Sequence, residues 1–296
     1  MAAAWILLVI FAMVTAWPIL LRLAPLCGSA GAAFAQDHLP DRLSDEQFHA
    51  PGAVHWFGTD VHGRDLFSRV LYGAQISLLV GVAGSAVSLV IGVLWGAIAG
   101  YAGGRLDSWM MRIVDILYSL PSLIFVIVMI TTLEGLVRRW LAGSGAEGLE
   151  RSVRLAFLLV GLAAVSWLNM ARIVRGQVLS LRQRPFVEAS RALGAGPVRI
   201  LFKHIVPHTF GVIIVYLSLT IPAIVLYESF LSYLGLGVQP PMASWGSLLA
   251  EGADQINPIR VYWWLIVFPG VFLVTTLLAL NLVGDGLRDA WDVRTR

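Results

Sequence analysis

Few residues of this chain combine a type and a spacing that could carry chemistry. Charged residues make up 13% of the 296 positions, about half of their share in soluble domains. Two carboxylates, Asp115 and Glu228, lie within otherwise apolar stretches. Acidic residues inside membrane spans are costly and mark either transport paths or paired charges. We treat both as candidates for a translocation path or an intramembrane charge. Arg112, three residues before Asp115, favours a local ion pair there.

The histidines give little support for a metal site. Four of the six lie in one polar segment, as His38, His49, His55 and His62. Their intervals fit neither one helix face nor a known ligand motif. His204 and His208 are four residues apart, but Pro207 lies between them and no carboxylate is near. The single cysteine, Cys27, excludes a disulfide framework. We therefore expect no bound metal.

Enzymatic chemistry finds equally little support. Lys203 is the only lysine, and no glycine-rich loop precedes it as a P-loop would require. If ATP drives this protein, another subunit must supply the ATPase. Ser144 lies between two glycines, but no histidine falls in a later apolar stretch, which disfavours an intramembrane serine protease. The sequence thus predicts a chain that is not an enzyme.

The apolar stretches predict an all-α integral membrane protein. Apolar residues make up 58% of the chain, and six stretches are near the ~20 residues that a membrane-spanning helix needs. Pro121 and Pro222 lie in the third and fifth stretches, where proline often marks a bend. The six predicted spans are residues 4–26, 75–101, 113–133, 155–171, 210–230 and 262–284.

Basic residues predict the orientation. If the N-terminus is cytoplasmic, the inside segments hold 12 Arg and Lys in 61 residues, and the outside segments hold 8 in 100. Cytoplasmic segments are enriched in Arg and Lys, so we expect both termini to be cytoplasmic. The first stretch could instead be a signal peptide cleaved after Ala35. An uncleaved span is favoured because the stretch lacks a basic start and exceeds the usual length.

The end of the long outside segment, 27–74, predicts a short amphipathic helix. Leu66, Phe67, Val70 and Leu71 recur with helical spacing on one face. Such a helix lies on the membrane interface or packs on the helix bundle. Arg64, Asp65 and Ser68 take the opposite, polar face.

Residues 182–211 predict a helical hairpin on the cytoplasmic side. Pro185 suits a first helical position, and Gly194 follows where a left-handed C-terminal cap would fall. A second helix begins near Pro197 and stops by Pro207. A hairpin of this size cannot bury a core alone, so it requires a partner. A docking partner and an anionic lipid surface are both open at this point.

The hairpin resembles the EAA loop of ABC importer permeases. Glu188, Ala189, Gly194 and Pro207 match that motif, while Ser190 replaces its second alanine. Further segments resemble the peptide/nickel permease family, and most closely the C-type subunit of oligopeptide importers. These segments are residues 57–78, 167–194, 228–249 and 284–292.

This resemblance implies the fold of a type I ABC importer permease, with six transmembrane helices and a cytoplasmic coupling-helix hairpin. It implies half of the pathway of a binding-protein-dependent oligopeptide importer in the bacterial inner membrane. The implied partners are a homologous second permease, two ATPase subunits and an extracytoplasmic peptide-binding protein, with no nucleic acid. The chain itself would bind no cofactor, because ATP and Mg would sit on the ATPases.

The resemblance also implies roles and boundaries. Glu188 would contact the ATPase or the helix ends of the loop, Gly194 would allow the tight turn, and Ala189 would keep the hairpin close to its groove. The expected regions are 1–74, a core of 75–284 containing loop 182–211, and a cytoplasmic tail, 285–296. A dipeptide or nickel permease of the same family is the alternative. An ion-driven secondary transporter is a weaker one, because Asp115 and Glu228 are a thin set of intramembrane acids.

Overall fold

The computed structural model describes residues 2–141, 147–240, 242–256 and 259–291, and these residues form helices joined by turns and loops. Within them the only β-type pairing is one isolated bridge, Thr59 to Asp65. The predicted all-α class is therefore confirmed. The helices are α1 (Ala2–Leu23), α2 (Ser29–Asp37), α3 (Leu66–Ala102), α4 (Gly104–Ser119), α5 (Ser122–Leu141), α6 (Glu147–Leu181), α7 (Pro185–Ala192), α8 (Pro197–Arg199), α9 (Val206–His208), α10 (Phe210–Tyr233), α11 (Trp245–Asp254) and α12 (Trp264–Trp291).

Five helical segments within the described residues are long and apolar enough to cross a membrane. They agree with five of the six predicted spans, although most extend further than predicted. A sixth span exists if the bent pair α4 and α5 counts as one. The five segments are Ala2–Cys27, Leu66–Ala102, Leu155–Leu181, Phe210–Tyr233 and Trp264–Ala290.

The third predicted span, 113–133, is not one straight helix. The axes of Gly104–Ser119 and Ser122–Leu133 differ by 90°. Leu120, between them, has extended backbone with φ −80° and ψ 139°. The ring of Pro121 disfavours helical backbone in the residue before it. The bend expected from Pro121 is therefore present, and it divides the span into two helices.

The predicted short helix at 66–71 is the first part of the 37-residue helix α3. Asp65 begins this helix, because its carboxylate accepts the Ser68 backbone N–H at 2.9 Å. Leu66 and Leu71 are buried, so this face packs on protein and not on the membrane interface. The opposite face is also buried: Ser68 has no exposed surface, and its hydroxyl accepts the Trp17 indole N–H at 2.9 Å.

The chain divides into two compact units. The first comprises Met1–Gly81 and Val225–Leu282. Its core combines α1, the start of α3, α11 and α12 around buried residues such as Trp17, Leu71 and Trp245. The second comprises Val82–Ile224 and Val283–Arg296. The predicted division by membrane topology, into 1–74, 75–284 and 285–296, stays a prediction.

The largest apolar cluster of the second unit joins three parts of the chain. Buried residues of α3 and α6, including Ala97, Val174 and Val178, pack against Val187 of α7 and Ile200 of the following turn. Fully burying a large aliphatic side chain stabilises by about 1.5–3 kcal/mol. This cluster therefore anchors the hairpin at 182–211 on the helix that precedes it.

Candidate functional site

The first arm of the hairpin is a short helix with a defined start. α7 begins at Pro185, after Arg184 in extended backbone with ψ 148°. Proline at this position loses no hydrogen bond, because the first N–H groups of a helix have no intrahelical partner. Glu188 lies in the first turn, where its charge interacts favourably with the helix dipole. The predicted helix and its start are confirmed.

Gly194 ends this helix in a left-handed conformation, as predicted, with φ +79°. The Gly194 N–H donates to the Arg191 carbonyl at 2.9 Å, and the Ala195 N–H donates to the Ser190 carbonyl at 3.0 Å. These two bonds form a Schellman motif, which satisfies carbonyl groups at the helix end. A Cβ at this position would meet no atom within 4 Å. The requirement for glycine is therefore conformational and not steric.

The second arm begins at Pro197, as predicted, but it is less regular than expected. A π-helical turn, Ile200–Ile205, separates α8 from α9. Ile200, Leu201 and Ile205 are buried in the cluster with α6. π-Type turns widen a helix locally and occur frequently at functional sites. Pro207 lies in α9, after which the chain continues into α10 through Thr209.

The outward surface of the hairpin is apolar at its tip and charged around it. Leu193 and Val198 are 88% and 69% exposed. The Glu188 side chain is exposed and has no hydrogen-bond or ion-pair partner within the described part of the chain. Exposed large aliphatic residues rimmed by charge mark interaction surfaces. Basic residues surround the tip, and all are exposed: Arg184, Arg191, Arg199 and Lys203.

The remaining predicted residues of the loop have simple local environments. Ala189 is exposed. The Ser190 hydroxyl donates to the Phe186 carbonyl one turn earlier at 2.8 Å, so serine fits where the family motif has alanine. The structure thus brings Glu188, Ala189 and Ser190 onto one short helix. Their roles towards a partner stay predictions.

Asp115 does not pair with Arg112. Its carboxylate accepts a hydrogen bond from Arg172 of α6 at 2.8 Å, and the Arg172 guanidinium lies 4.0 Å from the centre of the Tyr118 ring. A planar guanidinium can bind a carboxylate and stack on an aromatic ring at once, whereas the Arg112 side chain is on an exposed part of α4. The expected local pair was wrong, and the partner comes from another helix.

Arg175 of α6 and Arg182, the first residue after α6, bind the neighbouring helices, and sequence spacing did not indicate either contact. Arg175 donates to both carboxylate oxygens of Asp107 at 2.5 and 2.7 Å. Arg182 donates to the Tyr101 carbonyl at 2.8 Å. Asp107 is 7% exposed, so its charge is largely shielded from solvent. The sequence did not show that α4 and α6 are adjacent.

The Glu228 carboxylate, in the first unit, is hydrogen-bonded by serine side chains. Glu228 has no exposed surface. Its carboxylate accepts hydrogen bonds from Ser232 at 2.7 Å and from Ser77 at 2.9 Å. These serines also accept backbone N–H groups, Val238 onto Ser232 and Trp245 onto Ser77. Glu228 therefore organises the end of α10 and the start of α11. Its role in a translocation path stays a prediction.

The segment 27–74 is held by a largely buried ion network. Asp60 accepts from Arg64 Nε and from Arg69 Nη1, both at 2.7 Å. Arg69 also binds Glu251 of α11 at 2.5 and 2.9 Å. Arg69 is 1% exposed, and removing one partner of such a network would leave an uncompensated buried charge. The network explains why the polar face at 64–69 is buried.

Two of the histidines are brought together despite their unhelpful spacing. His38, His55 and Asp65 are buried, and their possible ligand atoms lie within 4.8 Å of one another. These atoms already have partners: His55 Nδ1 lies 2.8 Å from Asp65, and the two His38 ring nitrogens lie 2.9 and 3.0 Å from the Phe34 and Val54 carbonyls. A metal ion would have to replace these contacts. Ser144 lies outside the described residues.

The sequence of this chain is similar to those of known transport proteins. Residues 92–296 match the profile of the family described as binding-protein-dependent transport system inner membrane component. The chain is 48% identical over 242 residues to the oligopeptide transport system permease protein OppC of Haemophilus influenzae, covering 82% of this chain and 71% of that protein. It is 46% identical over 251 residues to the dipeptide transport system permease protein DppC of Bacillus subtilis, covering 85% and 72%.

A solved structure has a similar chain fold. It is the MetNI methionine ABC transporter in an inward-facing conformation, with a TM-score of 0.56 and 22% sequence identity. The similarity covers 76% of this chain and 97% of that chain. At this identity the likeness shows a shared fold and carries no conclusion about the transported substrate.

Proposed function

Because the chain belongs to the family of inner membrane components of binding-protein-dependent transport systems, we propose that it forms half of the translocation pathway of an ATP-driven peptide importer. A homologous permease would form the other half. The observation that carries this proposal is the hairpin at 182–211. Its inner face is built into the cluster with α6, and its tip presents Leu193 and Val198 to the surface.

The hairpin would be the coupling segment that docks into an ATPase subunit. Leu193 and Val198 would enter an apolar groove, and the basic residues around them would meet acidic residues at its rim. The exposed Glu188 would pair with a basic residue of the ATPase. Closure of the ATPase dimer would move the hairpin, and α6 would transmit this displacement as a rigid-body motion between two states. Ala189, Ser190, Gly194 and Pro207 would maintain the hairpin shape.

ATP and Mg would bind to two separate ATPase subunits, and this chain would bind no cofactor. The chain is a transport subunit and not an enzyme, as its family membership implies. An extracytoplasmic binding protein would deliver the substrate. We place both termini in the cytoplasm, because the segment containing the hairpin, 172–209, carries seven Arg and Lys, more than any other segment between the predicted spans.

The substrate class rests on relatives named for oligopeptides and dipeptides. Peptides share a polar backbone with charged termini and vary in side chains, so a pathway for them needs few fixed contacts. We propose oligopeptides as the main substrates. A dipeptide preference is the alternative, since one relative is named for dipeptides, and uptake measurements would separate the two.

Copurification tests the proposal directly. The tagged chain is purified from native membranes in mild detergent, and the proteins that accompany it are identified. We expect one permease of similar size and one or two soluble P-loop ATPases. A folded chain that remains alone or only self-associates would contradict the proposal and would favour an ion-driven transporter.

A further inference from the structure

The end of α6 and the residue that follows it bind two neighbouring helix ends with arginines. Arg175 lies in α6, and Arg182 is the first residue after this helix. The two are seven residues apart, and the helical hydrogen bond from the Arg182 N–H to Val178 keeps them on nearly the same side. Arg175 holds both oxygens of Asp107, and Arg182 donates to the Tyr101 carbonyl. We call these two contacts the arginine clamp.

Each contact satisfies a group that would otherwise be costly to bury. Tyr101 is in the last turn of α3, where carbonyl groups lack intrahelical partners. A cation at this end also interacts favourably with the helix dipole. Asp107 is in the first turn of α4, where a carboxylate is favourable for the same reason. The clamp therefore fixes the junction between α3 and α4 against α6.

The same stretch of α6 also carries the hairpin. Val174 and Val178 pack with Val187 and Ile200 of the hairpin, while Arg175 and Arg182 hold the clamp. The backbone continues without a break, because the Arg182 N–H donates to the Val178 carbonyl at 2.9 Å. α6 thus has the hairpin on one side and α4 on another within about two turns.

We propose that Arg175 and Asp107 are positioning residues that make α4 move together with the hairpin. The inference rests on the proposed function, since it concerns what happens when an ATPase displaces the hairpin. Apolar contacts alone allow one helix to slide along another by 1–2 Å. A bidentate pair between guanidinium and carboxylate has one preferred geometry, so it resists such sliding. The displacement of the hairpin would therefore reach α4 and the bend at Leu120.

Spin-label distances in the assembled transporter test this inference. Labels are placed at Ser108 of α4 and at Gln183 before α7, both exposed, in a Cys27→Ser background. Distances are measured by pulsed EPR without nucleotide and with ATP trapped on the ATPases. The clamp predicts that the distance stays constant within about 1 Å in the wild-type chain, and that Asp107→Asn lets it change by about 2 Å or more.

Matched variants separate the clamp from general stability. Asp115→Asn removes the exposed, single-contact pair between the same two helices, and we expect the label distance to stay constant with ATP as in the wild-type chain. Arg175→Lys keeps the charge but cannot form the bidentate pair, so we expect it to behave as Asp107→Asn does. If the Asp107→Asn protein fails to assemble, the label distance in the Arg175→Lys protein tests the clamp instead.

The outcomes distinguish this inference from the proposed function. A wild-type chain that does not assemble with ATPases refutes the proposed function. An assembled wild-type transporter whose label distance changes with ATP overturns the clamp and leaves the proposed function intact. The clamp is also overturned if Arg175→Lys and any assembled Asp107→Asn protein keep the wild-type constancy.

Discussion

Gly194 shows how a single residue determines the shape of the hairpin. Its φ of +79° belongs to the left-handed region, which strains residues with a branched Cβ. Because a Cβ would meet no atom of this chain there, any change in the hairpin's shape on substitution must come from the backbone. Conformational strain can therefore be separated from packing at this position.

Gly194→Val is expected to uncouple transport, because valine at this φ costs about 1–3 kcal/mol. A cost of that size reduces ATPase docking by about 5- to 150-fold if the hairpin changes shape to relieve it. Gly194→Asn should keep most of the activity, since asparagine tolerates the left-handed region. Peptide uptake and copurified ATPase are measured in both variants. Gly196→Ala, at φ −70°, is the control. Equal uptake by the valine and asparagine variants would contradict this account.

Other single-residue features could not be deduced from the sequence. The hairpin was predictable because its signals are local: a proline at the first helical position and a glycine at the C-terminal cap. The partner of Asp115 was not, because Arg172 is 57 positions away. Glu251, which pairs with Arg69, is more distant still. The same holds for His38, His55 and Asp65, which come close to one another only through the folding of residues 27–74.

At the scale of whole elements, the break between α4 and α5 is the largest departure from a regular span. Its cause is local, since Leu120 is extended and precedes Pro121. The long helix α3 shows the opposite effect. The polar residues in its first turns predicted a separate, short amphipathic helix. They are instead buried by the ion network with Asp60 and Glu251, so the helix continues without interruption.

Pro121→Ala is expected to straighten this break, because alanine removes the steric restriction on Leu120. Exposed positions Ile113 and Val128 lie on either side of it. With a rise of 1.5 Å per residue, their Cα atoms would be about 16 Å apart across a right-angle bend and about 22 Å apart in a straight helix. Pulsed EPR on the Cys27→Ser background measures this increase. An unchanged distance would show that tertiary packing, and not the proline, maintains the bend.

At the scale of the whole molecule, the predicted permease fold is confirmed by the family match and by the MetNI likeness. The family resemblance predicted this fold, whereas hydropathy predicted the membrane-spanning helices, because lipid requires long helices whose backbone groups are internally hydrogen-bonded. Composition alone does not place the hairpin on one side of the membrane. That placement comes from the charge distribution, and it stays a prediction until the side is measured.

Thiol labelling measures the side, because Cys27 is the only cysteine. In a Cys27→Ser background, Leu43→Cys and Leu193→Cys introduce thiols at positions 69% and 88% exposed. The charge bias predicts that a membrane-impermeant maleimide labels position 43 in intact spheroplasts, and position 193 only after the membrane is opened. The reverse pattern would refute the cytoplasmic placement of the hairpin and, with it, docking to a cytoplasmic ATPase. In the native chain, a labelled Cys27 after denaturation shows that the first span is retained, since cleavage after Ala35 would remove it.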